Sequence, residues 1–366
     1  MGGLLTPAPR AGKVPGRAKS APGGALVESE RVVVSLIAPE RTPVPVLPPD
    51  ALEALEKAGW VVSQRPLPRG ARAEDLGPHI GPEARAVLTS WGCPPFSAEA
   101  LAALPRLGFI GHCAGSVKVL VGPEVFARGI AVVSAAPVIA LGVAEYCLAA
   151  ALWSLRDLDA AASGLRAGSG QPGWAAGKSP RSRSLWGRDV GVVSAGATGR
   201  TFIRLLHPFG CDVAVFDPYL DAAGAEALGV RRAALDEVCG CSVVSVHAPN
   251  LPETRGLVGR EQLRRIPDGG LFINSSRAGV VDYAALADEL ATGRFRAVLD
   301  VFPQEPLPED SPLRRVPGAT LTPHIAGYSA DVYARMGRSV VEDLLRWDRG
   351  EAPAMGVDAA RWAILA

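Results

Sequence analysis

The sequence predicts an α/β protein of two lobes, each a mostly parallel sheet with helices on both faces. Three observations predict it. The 366-residue chain is longer than one hydrophobic core usually fills. From residue 31 onward, short β-rich apolar runs alternate with helical patterns. A stretch rich in Gly, Ser and Pro at 163–180 separates two such sets and reads as a connector.

In the first set, strands are expected at 32–37, 60–63, 86–90, 109–112 and 131–134, with helices at 50–58 and 97–104. The second of these helices opens on Ser97 as N-cap with Glu99 in its first turn. A long helix rich in Ala and Leu follows at 141–158. The second set then offers six strands, at 189–194, 212–217, 242–247, 270–275, 296–301 and 319–323, which suits a doubly wound sheet. A final helix is expected from beyond Gly327 to about Arg349, with Val332, Met336, Val340, Leu344 and Leu345 at helical spacing.

Composition bounds the function. With 38 Lys+Arg against 37 Asp+Glu, the chain has no global field to hold nucleic acid or an anionic membrane, and neither partner is expected. The longest apolar stretch, 138–155, is broken by Glu145 and reads as a helix of the protein rather than a membrane span. Residues 1–30 form a basic segment expected to be disordered. Without the four basic residues of 1–27 the formal charge falls from +1 to −3. The six cysteines include no C-x-x-C pair, so no metal site or disulfide framework is expected, and reduced thiols suit a cytoplasmic location. Cys239 and Cys241, the one close pair, read as small buried residues.

The run from Val190 to Gly199 passes from a strand pattern into the helix after Arg200, the context of a nucleotide-binding turn. It reads Ser194-x-Gly196-x-x-Gly199, with serine where G-x-G-x-x-G places its first glycine. Gly196 permits close approach of backbone to a pyrophosphate, and Gly199 permits close packing of helix on strand. Asp217 ends the next strand eighteen residues after Gly199, where a carboxylate can accept both ribose hydroxyls and repel a 2′-phosphate, so NAD is the expected cofactor. A turn aspartate before Pro218 is the plainer alternative.

Three further segments each end a strand: Ile273-Asn-Ser-Ser-Arg277, Leu299-Asp-Val-Phe-Pro-Gln-Glu305 and Leu321-Thr-Pro-His324. Residues beyond the carboxyl ends of parallel strands converge on the ligand crevice, so Arg277, Asp300, Glu305 and His324 are expected at one site. His247, ending its own strand, is read as structural.

Together with Val243-Val-Ser-Val-His-Ala-Pro249 and Pro252-Glu-Thr-Arg255, and in this order, these segments resemble the signatures of the D-isomer-specific 2-hydroxyacid dehydrogenase family, which includes phosphoglycerate dehydrogenases and glyoxylate/hydroxypyruvate reductases. The likeness extends over about residues 31–349. It implies an NAD-dependent enzyme that interconverts a small 2-keto acid and a D-2-hydroxy acid. Arg277 would bind the substrate carboxylate and carbonyl, and His324 would serve as acid/base paired with Glu305, whose charge favours the protonated imidazole. Toward the cofactor the resemblance assigns Ala197 and Thr198 beside Gly196 and Gly199, then Ala248, Ser275, Ser276 and Asp300. Toward the substrate it assigns Gly115 and Ser116 in the loop after the fourth strand.

Its departures are Ser194, Ala278 after the arginine, Tyr146 where a histidine commonly follows Glu145, and Lys118 where an aspartate is common, a charge change that bears on substrate identity. The resemblance also implies the architecture: a Rossmann NAD-binding domain at 138–323 inserted in a flavodoxin-like substrate domain made of 31–137 and 324–350. A C-terminal tail at 351–366 and a homodimer through the long helix are expected as well. Two competitors remain, an NAD(H)-sensing binding protein like the related corepressors, and a phosphonate-oxidising enzyme.

Overall fold

The computed structural model describes residues 31–37, 42, 44–168 and 178–364. The basic segment 1–30 and residues 169–177 of the expected connector lie outside the described residues.

The first lobe is a six-stranded sheet with Gly356–Val357 (β13) at one edge, in the order β13-β5-β4-β3-β1-β2. β1 (Val32–Ser35), β2 (Val61–Gln64), β3 (Ala86–Thr89), β4 (Phe109–His112) and β5 (Ala131–Ser134) run parallel in the flavodoxin-like order. β3 and β4 are buried at every position, including the polar Thr89 and His112 at their ends, as central parallel strands covered on both faces are. Gly111 in β4 has no room for a side chain: an added Cβ would lie 2.5 Å from Val340 on the C-terminal helix Ala330–Asp348.

The second lobe is a seven-stranded sheet in the order β12-β11-β10-β9-β6-β7-β8. Its strands are β6 (Asp189–Val193), β7 (Asp212–Phe216), β8 (Arg231–Arg232), β9 (Val243–Val246), β10 (Leu271–Asn274), β11 (Arg296–Leu299) and β12 (Ala319–Leu321). Counted within the lobe this is the 3-2-1-4-5-6 Rossmann order with one strand added beyond it, and the order reverses between β6 and β9.

The structure departs from expectation at three elements. The two-residue β8, with both arginines exposed, supplies a strand beyond the six expected. Helix Leu158–Ala167 occupies the start of the segment read as connector. The segment read as a C-terminal tail instead forms β13 (Gly356–Val357), antiparallel on β5, and a helix, Ala359–Ile364. Val357 enters the first-lobe core, and Trp362 packs its ring 5.9 Å from Phe126. Apolar side chains with a sheet edge to cover hold that segment in place.

Helix Ala136–Leu155 joins the lobes. Val138 packs in the first-lobe core, whereas Ala144, Cys147, Ala151 and Leu155 pack against the second sheet. This double duty explains why the helix is apolar nearly all round. It is also the one helix among the described residues that is long and apolar enough to cross a membrane, a test that a core helix passes as well.

Candidate functional site

Every strand of the second lobe that carries a predicted site residue ends on the same side of the sheet. At the end of β6 the chain turns through Ser194, at φ +78°, into helix Ala197–Leu206. Gly196 is its N-cap and offers no side chain to the free amides, and a Cβ added there would meet nothing within 4 Å. At Gly199 a Cβ would lie 2.2 Å from the Ser194 carbonyl, so the third glycine of the motif is required by packing. The turn is therefore an open cradle of backbone N–H groups at a helix N-terminus, the arrangement that holds a pyrophosphate.

Asp217 closes this cradle. Its Oδ2 accepts from Ala195 N at 2.7 Å and from the Ser194 hydroxyl at 3.3 Å, and its Oδ1 accepts from Tyr219 N at 2.8 Å. The sequence left a turn aspartate and a ribose-binding aspartate as alternatives. The half-buried carboxylate forms its own turn and stands beside the glycine turn as well.

The turn after β10 is built by Asn274, fully buried, which sequence reasoning did not single out. Its Oδ1 accepts from the amide (3.1 Å) and hydroxyl (2.9 Å) of Ser276, and its Nδ2 donates to Arg277 O (3.3 Å) and to the Tyr283 hydroxyl (3.2 Å). Ser275 turns inward, its hydroxyl 3.1 Å from Cys147 Sγ on the joining helix. Both serine hydroxyls assigned to the cofactor are thus engaged inside the protein. Ala248, the remaining assignment on this side, is buried just beyond β9.

Arg277, Glu305 and His324 come together in a cleft of about 590 Å³, lined also by Asn250, Arg255 and Tyr283. His324 Nδ1 lies 2.7 Å from Glu305 Oε2, and Phe302 N donates to Glu305 Oε1 at 2.9 Å. One carboxylate oxygen is fixed by backbone and the other by the imidazole, which leaves His324 Nε2 outside this pair. Desolvation by the cleft walls lowers the Arg277 pKa, and the Glu305 charge opposes that shift, so the guanidinium stays charged. Arg255, noted in the sequence only as part of a signature, brings a second guanidinium to the same walls.

Asp300, which the resemblance assigns to the cofactor, is held by hydrogen bonds from the loop that carries His324. It is fully buried beneath the cleft, its Oδ1 accepting from Thr322 Oγ1 (2.6 Å) and Ile325 N (2.8 Å), its Oδ2 from Ala326 N (2.7 Å). The Thr322 proton is committed to Asp300, so the Tyr146 hydroxyl, 2.5 Å away, donates to Thr322. Burial raises the pKa of Asp300 above the ordinary carboxylate value, and these hydrogen bonds reduce that rise without reversing it. Asp300 therefore organises the loop on which His324 is mounted.

Gly115 and Ser116 do not line the cleft. They lie after β4 beside the start of the joining helix, where Ser134 Oγ donates to Gly115 O at 2.5 Å. Ile139 connects the two regions, since Cβ atoms added at Gly115 and Gly327 would lie 4.0 and 2.9 Å from its side chain.

Comparison with known proteins identifies the family to which the chain is similar. Residues 148–326 match the family model for the NAD binding domain of D-isomer specific 2-hydroxyacid dehydrogenase. The chain is 35% identical over 265 residues to D-3-phosphoglycerate dehydrogenase of Mycobacterium tuberculosis, covering 72% of this chain and 49% of that one. It thus spans about half the length of that curated relative. It is 32% identical over 268 residues to glyoxylate reductase of Korarchaeum cryptofilum, covering 73% of this chain and 80% of that one. A phosphoglycerate oxidoreductase from Rhizobium etli superposes with a TM-score of 0.73 at 31% identity, covering 90% of this chain and 98% of that one.

Proposed function

Because the chain belongs to the D-isomer specific 2-hydroxyacid dehydrogenase family, we propose that it interconverts a small 2-keto acid and the corresponding D-2-hydroxy acid with NAD, in the cleft at Arg277, Glu305 and His324. The observation that carries this reading is the His324–Glu305 pair, 2.7 Å apart and sharing one cleft with a charged arginine. That set is what reduction of a keto acid requires: a cation for the carboxylate and a proton donor for the developing alkoxide.

The β6 turn fits the NAD that the family's domain binds. Gly196, Ala197, Thr198 and Gly199 would hold the pyrophosphate on the open helix N-terminus, and Asp217 the adenosine ribose. Ala248 and the backbone of Ser275 and Ser276 would continue the crevice along strand ends. When bound, the reduced cofactor supplies a hydride to the keto carbon. Arg277 holds the carboxylate and polarises the keto oxygen through its planar fork. His324 gives its Nε2 proton to that oxygen as the hydride arrives and takes it back in the oxidative direction, while Glu305 keeps the imidazole oriented through Nδ1. Asp300 keeps His324 in place from below, and closure of the lobes would bring Gly115 and Ser116 to present backbone to the substrate carboxylate from the first lobe. Closure of the lobes about 134–136 and 324–329 would exclude water.

The test is oxidation of NADH, with NADPH alongside, in the presence of glyoxylate, hydroxypyruvate, pyruvate and longer 2-keto acids. Turnover of at least one, faster with NADH, is expected. No turnover of any by protein that binds NADH would overturn the reading.

Two copies are proposed to pair through the outward side of helix Ala136–Leu155, where Trp153 is exposed beside apolar neighbours. Light scattering should give twice the chain mass, and Trp153→Asp should lower it. The six free cysteines suit a reducing, cytoplasmic setting.

A further inference from the structure

Lys118, where the family resemblance expects an aspartate, closes the loop that carries Gly115 and Ser116, yet its charge is not offered to that loop's ligand side. Its Nζ donates to the carbonyls of Trp362 at 2.9 Å and Ala363 at 2.8 Å, and it lies 4.3 Å from the centroid of the Trp362 ring. Those carbonyls belong to the last turn of helix Ala359–Ile364, where oxygens lack partners within the helix and a cation is favoured. Two of the three ammonium protons are thus spent, and an aromatic face stabilises the charge.

The segment that receives Lys118 is itself anchored. β13 pairs with β5, and buried Asp343 accepts from Ala354 N at 2.6 Å and Met355 N at 2.7 Å. Asp358 caps the short helix through Arg361 N at 2.7 Å. At the other end of the loop, Gly115 O is held by Ser134, whose hydroxyl also accepts from Ala136 N at 3.1 Å, where the joining helix begins. Between these two anchors Lys118 N donates to Ser116 Oγ at 3.1 Å, and Val117 is fully buried. The loop is therefore stretched between the helix that joins the lobes and the C-terminal segment.

We infer that Lys118 is a positioning residue for substrate binding, and that the C-terminal segment 356–363 is a working part of the carboxylate-binding loop, acting through it. The inference rests on the proposed 2-keto acid chemistry for what the loop binds, and on the contacts of Lys118 for how the loop is held. A lysine tethered to carbonyls 244 and 245 residues further along the chain fixes the backbone that presents Gly115 and Ser116. Its own charge does not read the substrate.

Lys118→Met keeps the apolar stem over Trp362 and removes the donors. It should raise KM for the 2-keto acid about ten- to a hundredfold, with kcat and NADH affinity little changed, because the loss is of position rather than of a reacting group. Lys118→Arg should restore most of the affinity. Trp362→Ala should raise KM in the same way, and the double variant Lys118→Met/Trp362→Ala should be no worse than the worse single variant. Multiplying effects would overturn the inference, since they would mean that Lys118 meets the substrate independently of the helix. Amide hydrogen exchange across 113–117 reads the tether without turnover and should be faster in both single variants. Unchanged exchange would overturn the tether. Faster exchange in a protein that turns over no 2-keto acid would instead sustain the tether and remove the proposed reaction.

Discussion

His324 stands at φ +54°, a left-handed conformation that costs a residue with a Cβ about 1–2 kcal/mol. It is held there from both sides: His324 N donates to Thr322 O at 3.0 Å, and the two amides that follow are captured by Asp300. The imidazole proposed as acid/base and its support make separable predictions. His324→Ala should lower kcat about 10²–10⁴-fold while leaving NADH binding intact, because only proton transfer is removed. Asp300→Asn substitutes a donor for one of two acceptor oxygens, so one of the donors at 322, 325 and 326 loses its partner. It should lower kcat together with stability, the latter by about 1–3 kcal/mol in a denaturant titration; a fall in kcat at unchanged stability would argue against the supporting role. Ser194, at φ +78°, carries the same backbone cost in the cofactor turn. Ser194→Gly removes that strain together with a 3.3 Å hydroxyl contact to Asp217, and relief of the strain outweighs loss of so long a contact. The variant should gain about 1 kcal/mol in unfolding free energy, and Ser194→Ala should gain nothing.

Helix Ala330–Asp348 shows how an element's neighbours decide the sign of a change. Gly337 lies in its middle, where glycine is ordinarily worse than alanine by about 1 kcal/mol. Here an added Cβ would sit 2.0 Å from the Val46 carbonyl, so the helix would have to leave the 44–48 segment or push it away. Gly337→Ala should therefore destabilise by about 1–3 kcal/mol in denaturant unfolding, and a stabilised variant would disprove the contact. Elements of this kind were legible in the sequence where burial is two-sided. β3 and β4 announce themselves as short runs that are apolar up to a polar last residue, and β4 and β5 keep their expected bounds. β8 and β13 have two residues each, and their pairing follows from a sheet edge that the rest of the fold creates. The site divides in the same way. Arg277, Glu305 and His324 follow strands and could be placed by strand ends alone. The capture of amides by Asp300, the bracing of Arg277 by Asn274 and the reach of Lys118 to Trp362 depend on backbone groups that meet only in the folded chain.

Each lobe buries one histidine at the end of a strand, and this ties the stability of the whole molecule to pH. His112 ends β4 with Nδ1 2.9 Å from the Thr89 hydroxyl, and His247 follows β9 with Nε2 2.9 Å from the Ser245 hydroxyl. Burial pushes both down to about 4 from an ordinary value near 6.5. Between those two pH values the unfolded chain binds a proton at each histidine that the folded chain refuses, so folding stability rises with pH through this window. The contribution is complete above about 6.5 and is lost on acidification toward 4. Each histidine supplies a slope of about 1.4 kcal/mol per pH unit, and the pair about 3 if the lobes unfold together. Together is the expected case, because helix Ala136–Leu155 supplies side chains to the cores of both lobes, and neither core is complete without it. Denaturant unfolding between pH 6.5 and 5 should therefore show one transition. Replacing either His112 or His247 with Gln should reduce its pH slope by about half of the pair's contribution. Two transitions, each flattened by only one of the substitutions, would show instead that the lobes unfold independently and that the joining helix does not couple them.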